Sequence, residues 1–319
     1  MMAKSAKADA ALKEKIRKER KKNIKNNWIL YIFLLPAIVY IGIFHYGPMY
    51  GLILSFKDYK GTLGILGSPW VGLKWFKYFL SSPNCWLLFR NTLALSIYSL
   101  VVGFPLPIIL ALMLNYVKHI KFKKFTQTVT YIPYFISTVV LVSMMTLFFS
   151  PTSGFVNTAY KAITGATTGI YFMGAEQYFR HMYVWSGVWQ STGYSSIIFI
   201  AALAGVSVEL HEAAIIDGAS VWKRIWHIDL PSILPTIMIL LVMQCGQILG
   251  VGYEKVYLMQ NSLNLNVSEI IATYTYKQGI QSGNISYSTA IGLMNNVINF
   301  IILVIANTLS NKLTGSGLW

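Results

Sequence analysis

Polar side chains recur at helical spacing inside three long apolar segments of the sequence. They are Trp185, Trp189, Thr192 and Ser196 in one segment, Gln244, Gln247 and Glu254 in another, and Ser288, Asn295 and Asn299 in the third. Polar groups are costly in an apolar setting, so they turn towards a cavity or towards another helix. Indole rings stack and amides form hydrogen bonds, which suits a solute with flat apolar faces and many hydroxyl groups. Hydrogen bonding between helices is the alternative explanation.

Residue sets that carry enzymatic chemistry are missing from the sequence. The five histidines form no HExxH or other metal-ligand spacing. The two cysteines, Cys85 and Cys245, lie far apart, so neither a disulfide framework nor a thiolate metal site is indicated. No GxSxG and no phosphate-binding GxxxxGK[ST] occurs. We therefore expect no catalytic residue, no metal site and no cofactor bound by this chain, and a membrane enzyme is disfavoured.

A charged stretch, EAAIIDGASVWKRIWHIDLP from Glu212 to Pro231, lies between two of the apolar segments. We expect Ser207 to cap a short helix that begins at Val208. Gly218 is expected to end that helix in the left-handed conformation, which costs other residues more. Ser220 is expected to cap a second short helix after the turn. Two capped helices would make this stretch stiff.

The first of these helices has one low, smooth face. Its members at i, i+3, i+4 and i+7 are Leu210, Ala213, Ala214 and Asp217. The two alanines would let this face enter a groove on a partner, and Glu212 beside it could pair with a basic group there. The other interpretation is a plain polar connector between two membrane spans. The residues alone leave these two interpretations open.

The composition requires a membrane around these elements. Apolar residues make up 55% of the chain and charged residues 12%, with a mean hydropathy of +0.53. A bilayer core about 30 Å thick takes roughly 20 apolar residues to cross as a helix. Six segments are long enough, and we predict an all-α polytopic membrane protein with six transmembrane helices. The predicted spans are Trp28–Leu54, Phe89–Tyr116, Phe125–Phe149, Tyr183–Gly205, Leu230–Gly252 and Tyr287–Leu309.

The distribution of charge predicts the orientation. The net charge is +15, and residues 1–27 carry ten Lys or Arg against three acids. We interpret residues 1–27 as a basic cytoplasmic arm that contacts anionic lipid, and residues 28–319 as the membrane domain, with a cytoplasmic loop at residues 207–229. Lys118–Lys124, Lys223, Arg224 and Lys312 then fall on the same side, so both termini are predicted to be cytoplasmic. No zinc-finger or RNP pattern supports nucleic acid as a partner.

The charged stretch resembles the EAA loop of binding-protein-dependent ABC importer permeases. That pattern is EAA, three residues, Gly, nine residues, then Ile, any residue and Leu-Pro. It is matched by Glu212, Ala213, Ala214, Gly218, Ile228, Leu230 and Pro231. The loop also precedes the penultimate span, as in that family.

The resemblance extends along most of the chain to the carbohydrate branch, and within it to permeases for oligosaccharides derived from complex polysaccharides. The matching stretches are SFKDYKGTLGILGSPWVGLKWF, GFPLPIILALMLN, YIPYFIS, AALAGVSVELHEAAIIDGAS and the tail from YSTAIGLMNN to GSGLW. The long basic arm departs from the shorter leaders of the family.

This resemblance implies a type I ABC importer permease in the bacterial cytoplasmic membrane. It implies a second homologous permease, expected as a heterodimer, two ATPase subunits that bind ATP and Mg, and an extracellular or periplasmic solute-binding protein that delivers a carbohydrate. The residues implied to contact the ATPase are Glu212, Ala213, Ala214, Asp217, Gly218 and Ala219. The candidate pathway residues are Trp185, Trp189, Thr192, Gln244, Gln247, Glu254, Asn295 and Asn299.

An ion-coupled secondary transporter of a small polar solute is the alternative. Such a protein would need an ionisable residue well inside a span, and only Glu254 and Arg90 lie near span ends. A requirement for ATP hydrolysis in uptake would distinguish an ABC importer from an ion-coupled transporter.

Overall fold

The computed structural model describes residue 19, residues 22–23 and residues 26–319. Most of the predicted basic arm, residues 1–27, therefore lies outside the described residues. The described chain is helical, and an isolated antiparallel bridge joins Lys57 to Trp70. It forms two compact units, one ending at Leu54 and the other running from Ser55 to Trp319.

The helices are numbered in chain order. The bounds are α1 Trp28–Ile41, α2 Gly47–Met49, α3 Gly64–Gly67, α4 Lys74–Leu80, α5 Asn84–Gly103, α6 Pro105–Tyr116, α7 Ile120–Tyr131, α8 Thr138–Phe148, α9 Phe155–Thr164, α10 Glu176–Ala204, α11 Val208–Ile216, α12 Val221–Arg224, α13 Leu230–Cys245, α14 Tyr253–Met259, α15 Leu265–Ser268, α16 Ile271–Tyr276 and α17 Ile285–Thr314. Wider π-helical segments cover Gly42–Tyr46, Ile225–Asp229 and Lys277–Gln281, and 3-10 turns cover Tyr50–Phe56 and Ile132–Phe135.

Four helical stretches in the described chain are long and apolar enough to cross a bilayer. They are Trp28–Phe56, Asn84–Tyr116, Val221–Cys245 and Ile285–Thr314. Two further pairs of helices qualify when each pair is taken as one bent span, which gives up to six. The predicted all-α polytopic architecture is confirmed, and the side of the membrane on which the termini lie stays a prediction.

The helix of the first unit, α1, is apolar on every side and buries none of its residues within the unit. A helix that is apolar all round needs an apolar surrounding. This agrees with the predicted first span.

The third predicted span, Phe125–Phe149, is not one continuous helix. Helix α7 passes into the 3-10 turn, and α8 then leaves at an angle of 98° to the preceding helical stretch. Ile136 adopts an extended backbone, and the Ser137 hydroxyl caps α8 by accepting a hydrogen bond from the Val140 N–H at 3.3 Å. Pro133 in the turn has no N–H to continue the helical ladder. Proline followed by a capping serine is the signal that explains the break.

The fifth predicted span, Leu230–Gly252, ends earlier than expected because α13 stops at Cys245. Gly246 follows, and a Cβ there would lie 2.6 Å from Cδ1 of Leu303 on α17. This close approach agrees with the packing role expected of a glycine in a span. The segment between α13 and α14 is non-helical, and α17 holds it through hydrogen bonds to Leu249.

Helix α10 connects the interior of the second unit. One buried cluster joins it to α5, α8 and α14 through Phe179, Leu95 and Met145 among others, and another joins it to α6 and α13 through Phe199 and Ile233. Between these clusters, Gly193 lies so close to α7 that a Cβ would come within 2.0 Å of the Thr130 carbonyl oxygen. Helix α10 is therefore the element against which the neighbouring helices are positioned.

Candidate functional site

Helix α11 carries the EAA residues, and its C-terminal end is fixed by Gly218. This glycine has φ +72°, as the sequence predicts. The Gly218 N–H donates to the Ile215 carbonyl at 3.0 Å and the Ala219 N–H to the Ala214 carbonyl at 2.8 Å. These two bonds form a Schellman motif, which satisfies carbonyls that the helix leaves free. The end of the helix is therefore stiff.

The N-terminal ends of the two short helices differ. Ser207 occupies the capping position of α11, but its side chain makes no capping hydrogen bond, so that part of the prediction is wrong. Ser220 caps α12 as predicted, accepting from the Lys223 N–H at 3.5 Å. Helix α11 thus depends on its C-terminal motif and on tertiary contacts.

The surface around the EAA residues is open. Glu212, Ala213, Asp217 and Gly218 are exposed, and Ala214 and Ala219 are half-buried. Large apolar side chains beside them are also exposed, including Leu210, Ile216, Trp222 and Trp226. Exposed apolar side chains of this kind face either a partner protein or the lipid.

The opposite side of α11 is tied to the membrane helices through a buried carboxylate. His211 Nε2 lies 3.2 Å from Oδ1 of Asp229, which has no exposed surface. Oδ2 of the same carboxylate accepts a hydrogen bond of 2.6 Å from the Tyr116 hydroxyl. The Arg224 guanidinium lies 5.3 Å from the Tyr116 ring centroid. His211 therefore connects α11 to the end of α6 and the start of α13.

Sequence reasoning did not find this connection. His211 and Asp229 fall outside the EAA pattern, and the partners are distant in the chain. The available signal was an aspartate next to the Leu-Pro that opens an apolar span, where an ionised group needs a partner.

Two cavities that share lining residues lie between α5, α10 and α13. Their volumes are about 610 Å³ and about 230 Å³, and both are lined by Ser99, Gln244 and Gln247. Ser191, Tyr194 and Ser195 of α10 line the larger cavity, and Ser96 and Tyr183 line the smaller one. Together they form a cavity whose surface is largely apolar, with side chains such as Leu240 and Met243, and which also carries amides, hydroxyls and aromatic rings; for these hydrogen-bonding groups it is called the polar cavity.

Stacked tyrosines line the larger part of the polar cavity. The rings of Tyr134 and Tyr194 are parallel within 5°, with centroids 3.8 Å apart. Tyr134 comes from the 3-10 turn after α7, and Gln190 of α10 fixes that turn by donating to the Ile136 carbonyl at 2.7 Å. The break in the third predicted span thus brings an aromatic ring to the polar cavity.

The polar stripe that the sequence predicts on α10 does not face the polar cavity but lies on the opposite face of that helix. Trp185 and Trp189 line an apolar cavity of about 520 Å³ beside α8, and Trp189 and Thr192 line another of about 400 Å³. The Trp185 indole donates to the Tyr98 hydroxyl at 3.1 Å. The structure does not bring these three residues together with Gln244 and Gln247. Their role in a pathway stays a prediction.

The remaining predicted pathway residues do not line the polar cavity. Asn299 Oδ1 accepts from the Leu249 N–H at 3.0 Å, and Asn295 Nδ2 donates to the Leu249 carbonyl at 3.3 Å. Both asparagines therefore bond to the non-helical segment that follows α13, and their role in a pathway stays a prediction. Glu254 is exposed in the first turn of α14, so the end of α13 separates it from the face of Gln244.

A lysine contacts Tyr183, which lines the smaller part of the polar cavity. Lys255 Nζ donates to the Tyr183 carbonyl at 2.9 Å and lies 4.8 Å from the centroid of its ring. Burial lowers the pKa of Lys255 to about 8, because desolvation penalises the charged form.

The family profile described as "Binding-protein-dependent transport system inner membrane component" matches residues 103–315. Protein LplB of Bacillus subtilis is 43% identical over 295 residues, covering 92% of each chain. The polygalacturonan/rhamnogalacturonan transport system permease protein YteP of the same organism is 40% identical over 307 residues, covering 95% of each.

A similar solved structure is that of a bacterial alginate ABC transporter in complex with alginate pentasaccharide-bound periplasmic protein. The chain covers 99% of the matched subunit, at 37% identity and a TM-score of 0.85, with 93% of its own length aligned.

Proposed function

Because the chain belongs to the family of binding-protein-dependent transport system inner membrane components, we propose that it carries an oligosaccharide or related carbohydrate across the bacterial cytoplasmic membrane. It is an ABC importer permease subunit, and ATP hydrolysis is carried out by partner subunits. ATP and Mg accordingly bind in those partners.

The observation that supports a carbohydrate is the polar cavity. Its amides, Gln244 and Gln247, and its serine hydroxyls can bond to sugar hydroxyls, while the face of Tyr194 that does not stack on Tyr134 can stack on a sugar ring. Two of the similar proteins are named for the transport of polygalacturonan/rhamnogalacturonan and of alginate, which favours the same broad substrate class.

We place the ATPase contact on α11 and its Schellman turn, with Glu212, Ala213, Ala214, Asp217, Gly218 and Ala219 as the contacting residues. The exposed apolar patch suits a groove on the ATPase subunit. Through the contact between His211 and Asp229, a movement of α11 in that groove would be passed on to α6 and α13. A rigid element with such an anchor can transmit a displacement, whereas a flexible loop would absorb it.

The other expected partners are a second homologous permease in a heterodimer, two ATPase subunits and a solute-binding protein. The alginate transporter, whose structure contains a periplasmic protein, supports the last of these. Residues 1–27 are assigned to anionic lipid on the cytoplasmic side, and residues 28–319 to the membrane domain.

Reconstitution tests this function. The complex is purified with every attached subunit, inserted into vesicles, and supplied with solute-binding protein and labelled oligosaccharides. We expect uptake that requires ATP hydrolysis. Uptake by the isolated chain, driven by an ion gradient without ATP, would instead establish the secondary-transporter alternative.

A further inference from the structure

Three basic side chains near the start of α10 have no carboxylate partner. They are Arg180 on α10, Arg90 on α5 and Lys255 on α14. In the part of the chain that the structure describes, the acids within ion-pair distance of a basic group are Asp229 and Glu269, which pair with His211 and Lys277. The three cations therefore lack a counter-ion, and an unpaired charge that is partly desolvated is unfavourable.

The two arginines converge on a single neutral oxygen. Nη2 of Arg180 lies 3.2 Å and Nη2 of Arg90 lies 3.4 Å from Oδ1 of Asn91. Asn91 is fully buried, and its amide nitrogen donates to the carbonyls of Asn266 and Glu269, so its oxygen is fixed towards the guanidinium groups. Two like charges that share one acceptor repel each other. An anion bound between the two guanidinium groups would offset this repulsion.

Neighbouring groups leave donors on these arginines free. Arg180 Nε is buried and donates to no partner among the described residues. Glu176, one turn earlier on α10, directs its carboxylate to the Asn266 amide at 3.4 Å instead of to an arginine. A guanidinium with open donors fits a carboxylate in a planar, two-point geometry.

Lys255 is a third open donor group. Its Nζ makes one hydrogen bond, to the Tyr183 carbonyl, although an ammonium group has three donors. A carboxylate near it would offset the desolvation that opposes its charge.

One face of α10 connects these cations to the polar cavity. Positions spaced by three or four residues share a helix face, and those on this face are Arg180, Tyr183, Gly187, Ser191 and Tyr194. A Cβ at Gly187 would lie 3.3 Å from Lys255 Nζ, so the absence of a side chain there leaves room for the ammonium group. Arg180 therefore lies one turn from the cavity residue Tyr183, on the face of α10 that also carries Ser191 and Tyr194.

We propose that Arg180 and Lys255, with Arg90 beside them, bind carboxylates of the transported saccharide and select an acidic, uronate-containing oligosaccharide. This inference rests on the proposed function and specifies its substrate class. A neutral sugar would fill the polar cavity but leave the three cations unpaired. Carboxylates of a partner protein are the competing explanation, and they are less favoured because Lys255 contacts the cavity residue Tyr183.

The test compares a uronate pentasaccharide with its carboxyl-reduced, neutral counterpart in the complete reconstituted complex. The variants are R180Q and K255Q, with R180K and K255R as charge-retaining forms. Lys161→Gln is the matched control, because Lys161 on α9 also bonds a single carbonyl, that of Pro151, and lies off this face. Titration of the detergent-solubilised complex without solute-binding protein measures the permease's own preference.

We expect the wild-type complex to bind the uronate more tightly than the neutral sugar. R180Q and K255Q are expected to lower kcat/KM for the uronate by about tenfold, the loss of one charge-assisted contact, with little change for the neutral sugar. R180K and K255R should recover part of the loss, and Lys161→Gln should match wild type.

Equal losses for both saccharides, or no preference in the titration, would overturn this inference and assign the cations to a partner protein or to folding. Entry of neither saccharide into vesicles that still hydrolyse ATP would overturn the proposed function itself, and the inference with it.

Discussion

The imidazole of His211 lies 3.2 Å from the carboxylate of Asp229 and joins the exposed helix α11 to the end of α6 and the start of α13. His211 is 21% exposed, whereas Asp229 is completely buried. Since Asp229 also accepts from Tyr116 at the end of α6, one carboxylate links three helices. A displacement of α11 would therefore act on α6 and on the start of α13 together.

His211→Ala should weaken this transmission. The substitution leaves Asp229 Oδ1 buried without its basic partner, a situation that typically costs several kcal/mol when a buried pair is broken, and less at a half-buried histidine. We expect several-fold less saccharide moved per ATP hydrolysed, with the ATPase subunits still attached. The matched control is His227→Ala, since His227 is exposed and bonds only the Lys223 carbonyl in the described structure. Equal transport stoichiometry in the two variants would contradict the role of His211.

Gly218→Val should disrupt the turn that ends α11. No neighbouring atom lies within 4 Å of a Cβ at this position, so the cost comes from the left-handed backbone alone, roughly 1–2 kcal/mol for a non-glycine residue. We expect uptake to be lost while the protein still inserts into the membrane. Gly218→Asn is the control, because asparagine tolerates this conformation better. Identical uptake by the valine and asparagine variants would show that the turn geometry is irrelevant to coupling.

Glu212→Ala should uncouple transport from ATP hydrolysis. Glu212 is exposed beside the two alanines, so its removal affects a partner's surface more than the fold. We expect reduced uptake and weaker copurification of the ATPase subunits, with normal membrane insertion. Glu209→Ala removes another exposed acid from the first turn of the same helix and should have the smaller effect. Normal saccharide uptake by the Glu212 variant would refute the contact.

Gln247→Leu should lower kcat/KM for the saccharide by about tenfold or less, because one or two hydrogen bonds to sugar hydroxyls are lost. Gln247 lines both parts of the polar cavity. Trp185→Phe tests the opposite face of α10, since it keeps an aromatic ring and removes the indole N–H that bonds to Tyr98. If the tryptophan variant alone loses uptake, the pathway follows the face that the sequence pattern predicts.

Gly193→Ala should destabilise the fold rather than transport alone. The added Cβ would fall 2.0 Å from the Thr130 carbonyl oxygen, and a backbone atom cannot move aside as a flexible side chain can. Overpacking of this kind costs about 1–3 kcal/mol. We expect a lower thermal unfolding midpoint and a lower yield. Gly292→Ala on α17 meets no atom within 4 Å and serves as the control. Equal unfolding midpoints for the Gly193 and Gly292 variants would mean that α7 and α10 can move apart without loss of stability.

The sequence by itself determined the features that depend on local properties of the chain. The length and apolarity of its segments predicted the all-α polytopic architecture. In lipid, an apolar segment must pair its backbone N–H and C=O groups internally, and a helix does this. The position of Gly218 predicted where α11 ends, since a left-handed residue favours glycine. The EAA pattern could identify the family because its residues lie close together in the chain and can be recognised without the fold.

Only the tertiary structure decided which groups meet. Helical periodicity marked one polar stripe on α10, from Trp185 to Ser196, but it could not tell which face of the helix turns towards Gln244, because a span that is apolar overall carries little directional signal. The pairing of His211 with Asp229, and of Asn299 with Leu249, joins residues far apart in the chain. Such contacts follow from how helices pack, and packing depends on the shapes of all neighbouring side chains at once rather than on any local pattern.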